Sequence, residues 1–176
     1  MNKFLLSLLI VISLFAGGCA SLMVSVNDRD ESAKEIKIAA GSEVNILPPT
    51  LKEGLEKEIA SAGFTNDSFK ETLRKEVIKE LTSRGVKPVS VETAESNYIQ
   101  LHVTRLERGI GFFRWFSFFG LGDSFLTVNV TMVLPEGKRE IIAEKNGQIH
   151  GSSQMGDQTK DNIEYVATAV SSKITK

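Results

Sequence analysis

The chain has few of the residues that usually carry chemistry. Its 176 residues include one cysteine, Cys19, and two histidines, His102 and His150. A single thiol cannot form an intramolecular disulfide, which excludes a disulfide-stabilised fold. No His, Cys and carboxylate residues occur at the spacing of metal ligands, and the sequence has no phosphate-binding P-loop. We therefore expect neither a metal nor another cofactor.

The sequence also lacks a polybasic run and a long apolar segment. The formal net charge is −1. Without clustered lysines or arginines, neither nucleic acid nor anionic lipid headgroups are expected partners. The main apolar stretch, residues 4–15, is interrupted by two serines, and a membrane-spanning helix needs about 20 apolar residues. This stretch is too short to be a transmembrane helix.

The N-terminus has the organisation of a secretory signal peptide. Lys3 supplies a positive charge, the apolar stretch follows, and Ala16, Gly17 and Gly18 form a small-residue cleavage site. The predicted signal peptide comprises residues 1–18. An ordinary signal peptide or a short uncleaved anchor is the alternative to a lipoprotein-type signal.

The residues at the end of this leader resemble a bacterial lipobox. Ala-Gly-Gly at 16–18 precedes Cys19, whose thiol would receive a diacylglycerol and whose freed amine would then be acylated. Two or more acyl chains anchor a protein stably to its bilayer. By resemblance to enterobacterial sorting, Ala20 rather than Asp after the cysteine predicts the outer membrane.

Cleavage before Cys19 would leave 176 − 18 = 158 residues, enough for one domain with a core. The polar residues 19–35 are predicted to form a tether that carries the lipidated cysteine. Residues 36–176 are predicted to be a single envelope domain that faces the periplasm.

Hydrophobic spacing predicts helices in the first half of this domain and strands in the second. Residues 50–62 and 65–84 have helical spacing, and so does the C-terminus from Asp161. In the second of these helices Ser68 and Glu71 have the spacing of an N-terminal capping box. Residues 98–109, 125–134 and 139–151 alternate as strands do, with weaker strands within 36–47 and over 86–91. The predicted fold is α+β, a mainly antiparallel sheet of about four to five strands with helices packed on one face. The predicted apolar helix positions are Phe69, Leu73, Val77, Ile78 and Leu81, then Ile163, Val166, Ala167, Val170 and Ile174.

Six aromatic residues lie close together between two of these strands, and we call them the aromatic segment: Phe112, Phe113, Trp115, Phe116, Phe118 and Phe119. Each aromatic side chain covers roughly 150–250 Å² when buried. The largest exposed apolar patch of a monomer is only about 300–600 Å², so something must cover most of the segment. The cover is the domain's own core, a membrane interface beside Arg108 and Arg114, or a protein partner.

The histidines give little support for catalysis. His102 alternates with apolar residues and is expected on the sheet surface. His150 precedes Ser152 and Ser153, but nucleophilic catalysis needs a base, an orienting acid and an oxyanion hole that converge in space. Gly120 and Gly122 precede a strand, which is not the setting of a phosphate-binding loop. The sequence therefore argues against an enzyme.

Residues 36–176 resemble the bacterial lipoproteins of domain-of-unknown-function family 4410. The resemblance rests on an arginine-containing aromatic stretch, a long alternating strand, a Pro-Glu-Gly turn, a return strand and a terminal amphipathic helix. Arg114, Gly120 and Gly122 would match the family's Arg and Gly-x-Gly, while Phe118 and Phe119 stand where Gly-Phe is expected. The resemblance implies an α+β envelope domain, similar in general shape to small periplasmic modules that bind or regulate larger machines, and no established activity.

These observations favour a non-enzymatic, outer-membrane-anchored lipoprotein whose domain binds another envelope component through the aromatic segment. The alternative is a self-assembling structural subunit in which that segment is buried between copies. A third hypothesis is a hydrolase that uses His150.

Overall fold

The computed structural model describes residues 23–89, 97–107, 124–147 and 158–176. The elements within these ranges are, in chain order, β1 (Met23–Asp28), a 3-10 helix (Glu31–Ala33), β2 (Glu43–Ile46), β3 (Thr50–Leu51), α1 (Glu56–Ser61), α2 (Asn66–Ser83), β4 (Lys87–Val89), β5 (Tyr98–Glu107), β6 (Ser124–Leu134), β7 (Gly137–Gly147) and α3 (Gln158–Ile174).

The two long helices bury the faces that the sequence predicts. Nine of the ten apolar positions predicted for α2 and α3 are buried, and the tenth, Ile78, is half-buried against the same core. The start of α2 differs from the prediction, because Ser68 is the third helical residue and not the cap. Thr65 Oγ1 accepts a hydrogen bond from the Ser68 N–H at 3.1 Å, and Ser68 Oγ accepts one from the Thr65 N–H at 2.9 Å. This reciprocal capping box satisfies two backbone donors that a helix otherwise leaves free.

The prediction of one helix over residues 50–62 is wrong in its first half. Thr50 and Leu51 form β3, which runs parallel to β5, and the Lys52 N–H donates to the Val103 carbonyl at 2.9 Å. Gly54 then takes a left-handed backbone with φ of 89°, a conformation that suits glycine, before α1 begins. The helix is limited to Glu56–Ser61.

The sheet has seven strands in the order β1-β7-β6-β5-β2-β4, with β3 also paired to β5. Strands β1, β7, β6 and β5 are antiparallel neighbours, whereas β2 is parallel to both β4 and β5. The prediction of a mainly antiparallel sheet of four to five strands is therefore wrong. A period of two identifies a strand but not its neighbour, and helices α1 and α2 carry the chain back so that β2 and β4 run in the same direction.

The tether predicted over residues 19–35 is also wrong from Met23 onward. Strand β1 pairs with β7 from Met23 opposite Asn146 to Asp28 opposite Ile141. Its half-buried Val24 and Val26 alternate with exposed Ser25 and Asn27. An edge strand with so few apolar residues reads as a polar linker in sequence. The predicted leader and Cys19 lie outside the described residues.

The side chains on the two faces of the sheet differ in how deeply they are buried. Along β6, buried residues such as Leu126, Val128 and Val130 alternate with half-exposed ones. The buried side chains belong to one core with those of α2 and α3. The opposite side, which we call the open face, carries half-exposed polar residues that include Thr127, Asn129, Thr131, Gln100 and His102.

A buried ion cluster joins β1, β7 and α3, and we call it the Asp28 cluster. Arg139 Nε donates to Asp28 Oδ1 at 2.7 Å, and Lys173 Nζ lies 3.0 Å from Asp28 Oδ2. The side chains of Arg139 and Asp28 are only 1% and 3% exposed. Burial alone would raise the pKa of Asp28, but the hydrogen bonds and charges of Arg139 and Lys173 outweigh it and lower that pKa. Asp28 is therefore ionised at neutral pH.

We expect Asp28→Asn to lower the free energy of unfolding by about 3 kcal/mol at neutral pH, because it leaves the buried Arg139 guanidinium without a counter-charge. Urea denaturation measures this change. The matched control is Arg29→Ala, which breaks an exposed pair with Glu140 at 3.3 Å and should change stability far less, because solvent screens an exposed pair. Equal effects of the two substitutions would contradict the role of the cluster.

The same substitution changes the dependence of stability on pH. Because the pKa of Asp28 is lowered in the folded state, its contribution is complete above the unfolded pKa of about 3.9 and is lost as the pH falls through the folded pKa. Wild-type protein should therefore lose more stability than Asp28→Asn between mildly and strongly acidic pH. Parallel curves for the two proteins would contradict this assignment.

Candidate functional site

One end of the sheet collects the ends of four strands. Met23, at the start of β1, pairs with Asn146 near the end of β7, Asn146 pairs with Phe125, and Phe125 pairs with Glu107 at the end of β5. These four residues form one row across the sheet, because β1, β7, β6 and β5 alternate in direction. We call this the Met23 end of the sheet.

Most residues singled out in the sequence lie outside the described part of the chain. They are Cys19, the six members of the aromatic segment, Gly120, Gly122, His150, Ser152 and Ser153. The structure does describe the strands on both sides of the aromatic segment. Strand β5 ends at Glu107 and β6 begins at Ser124, both at the Met23 end. The described chain therefore leaves β5 and enters β6 at the same end of the sheet as the start of β1.

A charged group lies on the open face at this end. The register of β5 shifts between Val103 and Arg105. The guanidinium carbon of Arg105 lies 4.1 Å from the centre of the Phe125 ring, and its nitrogens donate to both carboxylate oxygens of Glu107 at 2.8 and 3.0 Å. A second carboxylate is also close, since Glu144 Oε1 lies 3.9 Å from Arg105 Nη1. The hydrogen bond from Arg105 lowers the pKa of Glu107, so the pair is fully charged at neutral pH.

The inner side of the same end is polar, unlike the core farther along the sheet. Ser124, Lys145, Thr159 and Asn162 are all buried. Asn162 Nδ2 donates to Ser124 Oγ at 3.0 Å, which ties the first turns of α3 to the start of β6. These residues were not predicted from the sequence, because isolated polar positions in a strand or helix look like surface positions until their partners are known.

The prediction that His102 lies on the sheet surface is confirmed. Its side chain is half exposed on the open face, and His102 Nδ1 lies 2.8 Å from Thr50 Oγ1. Among the described residues, no three His, Cys, Asp or Glu side chains are grouped so that they could hold a metal ion. Within the same ranges, no helix combines the length and apolar character that crossing a membrane requires.

No protein-family model and no curated protein matches the sequence. The family 4410 resemblance therefore stays a prediction.

The fold is nevertheless similar to solved structures. A dodecamer of a single-substitution variant of PelC from Paraburkholderia phytofirmans has a TM-score of 0.56 and 11% identity, over 88% of this chain and 100% of that chain. A second PelC dodecamer from the same organism has a TM-score of 0.52 and 13% identity, over 83% and 96%. A DUF4136 family protein from Bacteroides thetaiotaomicron has a TM-score of 0.42 and 11% identity, over 88% and 97%, too low a similarity to support an argument. At these identities the PelC structures establish similarity of fold alone.

We expect Arg105→Ala to raise the pKa of Glu107, because the hydrogen bond from Arg105 is the main cause of its lowered value. Carboxyl carbon chemical shifts followed through a pH titration measure this change. Arg29→Ala, which removes an arginine from a different carboxylate, Glu140, is the control and should leave Glu107 unchanged. Stability should fall by less than about 1 kcal/mol, since solvent screens an exposed pair. An unchanged Glu107 titration in Arg105→Ala would refute the contact.

Proposed function

We propose that this protein is a non-enzymatic lipoprotein of the bacterial outer membrane, anchored through Cys19, whose periplasmic domain binds another component of the envelope. The observation that supports this most is the place where β1 begins. Cys19 lies four residues before Met23, the first residue of an edge strand whose start lies at the Met23 end of the sheet.

The length of the connection limits where the lipid can be. Four extended residues span at most about 14 Å, so a lipid on Cys19 stays near the Met23 end. The row from Met23 to Glu107 crosses three strand spacings, which is also about 14 Å. The lipid and both connections of the aromatic segment therefore share one end of the domain. The bilayer lies against that end.

This placement favours one of the three covers considered for the aromatic segment. A segment that contains a tryptophan, five phenylalanines and Arg114, with Arg108 shortly before it, suits the interface between headgroups and acyl chains. Because β5 ends and β6 begins at the end of the sheet that the proposed anchor would hold near the membrane, a bilayer is an apolar surface available to the segment. We propose that Phe112, Phe113, Trp115, Phe116, Phe118 and Phe119 contact lipid.

The single tryptophan provides a direct test of lipid contact. Fragment 20–176 contains every described element, and its Trp115 emission is recorded with and without phospholipid vesicles. We expect emission that shifts to the blue and becomes protected from acrylamide when vesicles are added. Phe113→Ser together with Phe116→Ser should weaken the shift, whereas Tyr165→Ser, which removes an exposed aromatic residue of α3, should not.

Two other results would contradict lipid contact. Blue and protected emission without vesicles would place Trp115 in the core or between copies. Red and quenched emission in both samples would leave a protein as the partner of the segment.

The anchor itself is tested by Cys19→Ser. We expect this substitution to abolish incorporation of a labelled fatty acid and to move the protein from the outer-membrane fraction to a soluble one, because no other cysteine is present. Retention of the variant in carbonate-washed membranes would show that the leader remains attached or that the domain binds membranes without lipid.

A second candidate function is that of a self-assembling structural subunit. Its support is that both PelC structures of similar fold are dodecamers. Light scattering coupled to size-exclusion chromatography of fragment 20–176 separates the two candidates. A mass that rises with concentration supports assembly, and a monomer at high micromolar concentration excludes it for the soluble domain.

A further inference from the structure

A small cavity lies at the opposite end of β1 from Met23. It is lined by Lys34, Glu35 and Lys37 from the segment after the 3-10 helix, by Arg139 of β7, and by Ser172 and Lys173 of α3, and its volume is about 220 Å³. These residues come from three separate parts of the chain. The Asp28 cluster holds them together, because Arg139 and Lys173 both contact Asp28.

The charge lining this cavity is mainly positive. Four of the six lining residues are cationic, and Glu35 is the only acid among them. Asp28 lies beneath, but its two oxygens already accept hydrogen bonds from Arg139 and Lys173. The nearby acid Glu31 pairs with Lys34 at 3.3 Å. Since both side chains of that pair are more than half exposed, the contact is weak and easily exchanged.

The charged donors that could reach a ligand are lysine ammonium groups, and Ser172 adds a hydroxyl. Arg139 is occupied by Asp28, by the Ile36 carbonyl at 2.8 Å and by the Lys173 carbonyl at 3.4 Å. Lys34 and Lys37 are exposed, and the Lys173 side chain is 38% exposed. Lysine acts as a point charge, without the planar fork with which arginine binds a carboxylate through two bonds. Point charges attract a dianion about twice as strongly as a monoanion.

The size of the cavity restricts the ligand further. Pockets for whole small molecules usually occupy about 300–1,000 Å³, more than this cavity offers. It accommodates one small charged group, with the rest of the ligand outside. A tetrahedral dianion meets the requirements of both size and charge.

We propose that this cavity binds a phosphate group. It lies at Asp28, five residues along β1 from Met23, or about 17 Å from the Met23 end of the sheet. The site therefore faces away from the proposed anchor, toward a phosphate-bearing ligand in solution. This inference does not rest on the proposed function, since it needs neither lipidation nor membrane contact.

The test uses the full chain, kept in solution by a neutral detergent whether or not it carries lipid, and titrated against inorganic phosphate at constant ionic strength. Line broadening in phosphorus NMR reports binding directly. Melting temperature is a poor measure here, because phosphate stabilises folded proteins in general by its exclusion from their surfaces. Glycerol phosphate forms a second arm. Tighter binding of glycerol phosphate than of inorganic phosphate would identify a headgroup-like source, and the reverse would identify free phosphate.

Two lysines are removed in each of two matched variants. Lys34→Ala with Lys37→Ala should weaken phosphate binding about tenfold, since two charges next to the ligand are lost. Lys75→Ala with Lys79→Ala changes the net charge equally, at exposed positions of α2, and should leave the affinity within about twofold. No broadening with wild-type protein, or equal weakening by both variants, would overturn the proposal.

A third variant distinguishes an effect on the phosphate site from loss of binding through misfolding. Glu35→Gln removes the acid that lines the cavity and should tighten phosphate binding several-fold, a gain that unfolding cannot produce. Unchanged or weaker binding would argue against a phosphate at this position. Acetate serves as the monoanion control, and acetate binding as tight as that of phosphate would overturn the preference for a dianion.

Discussion

The position of β1 depends on one buried carboxylate, that of Asp28. Removing ions from water costs several kcal/mol each, and a buried pair is stable only when its other hydrogen-bonding groups are also satisfied. Here both oxygens of Asp28 accept bonds, and Arg139 also donates to the Ile36 carbonyl. The same region holds the C-terminus, where the Ile38 N–H donates to the Ile174 carbonyl at 2.7 Å. Residues near both ends of the described chain thus lie close to the Asp28 carboxylate. Backbone hydrogen bonds to β7 hold the rest of β1 in place.

This arrangement gives the domain two chemically different ends. At the Met23 end, four strand ends surround a polar interior, and an arginine packed on Phe125 lies on the open face. At the other end, lysines surround a small cavity next to the Asp28 cluster. Strand β1 runs from one end to the other. A domain held at its Met23 end would therefore present its cationic end to the solution.

The sequence predicts best what depends on local spacing. Phe69, Leu73, Val77 and Leu81 recur every four residues and are buried together on α2, and alternation identifies β5, β6 and β7. Strand β1 escaped prediction because two valines among polar residues do not reveal an edge strand. The parallel neighbours of β2 depend on a crossover that periodicity does not encode.

The cationic cavity cannot be predicted from the sequence either, since Lys37 and Arg139 are separated by about one hundred positions. In the aromatic segment, composition shows that a cover is required, while the cover itself depends on what lies beside the segment in space.

The antiparallel pairing of β1 with β7 also determines how the domain would bear a mechanical load. Tension that enters through residue 19 would pull along the axis of β1. The six register pairs from Met23–Asn146 to Asp28–Ile141 would then be loaded together in shear, whereas a pull across the strand would open them one after another. The Asp28 cluster lies at the far end of this ladder, where it resists the strand sliding past its neighbour. In a chain anchored as proposed, this edge strand would transmit force between the bilayer and a bound partner.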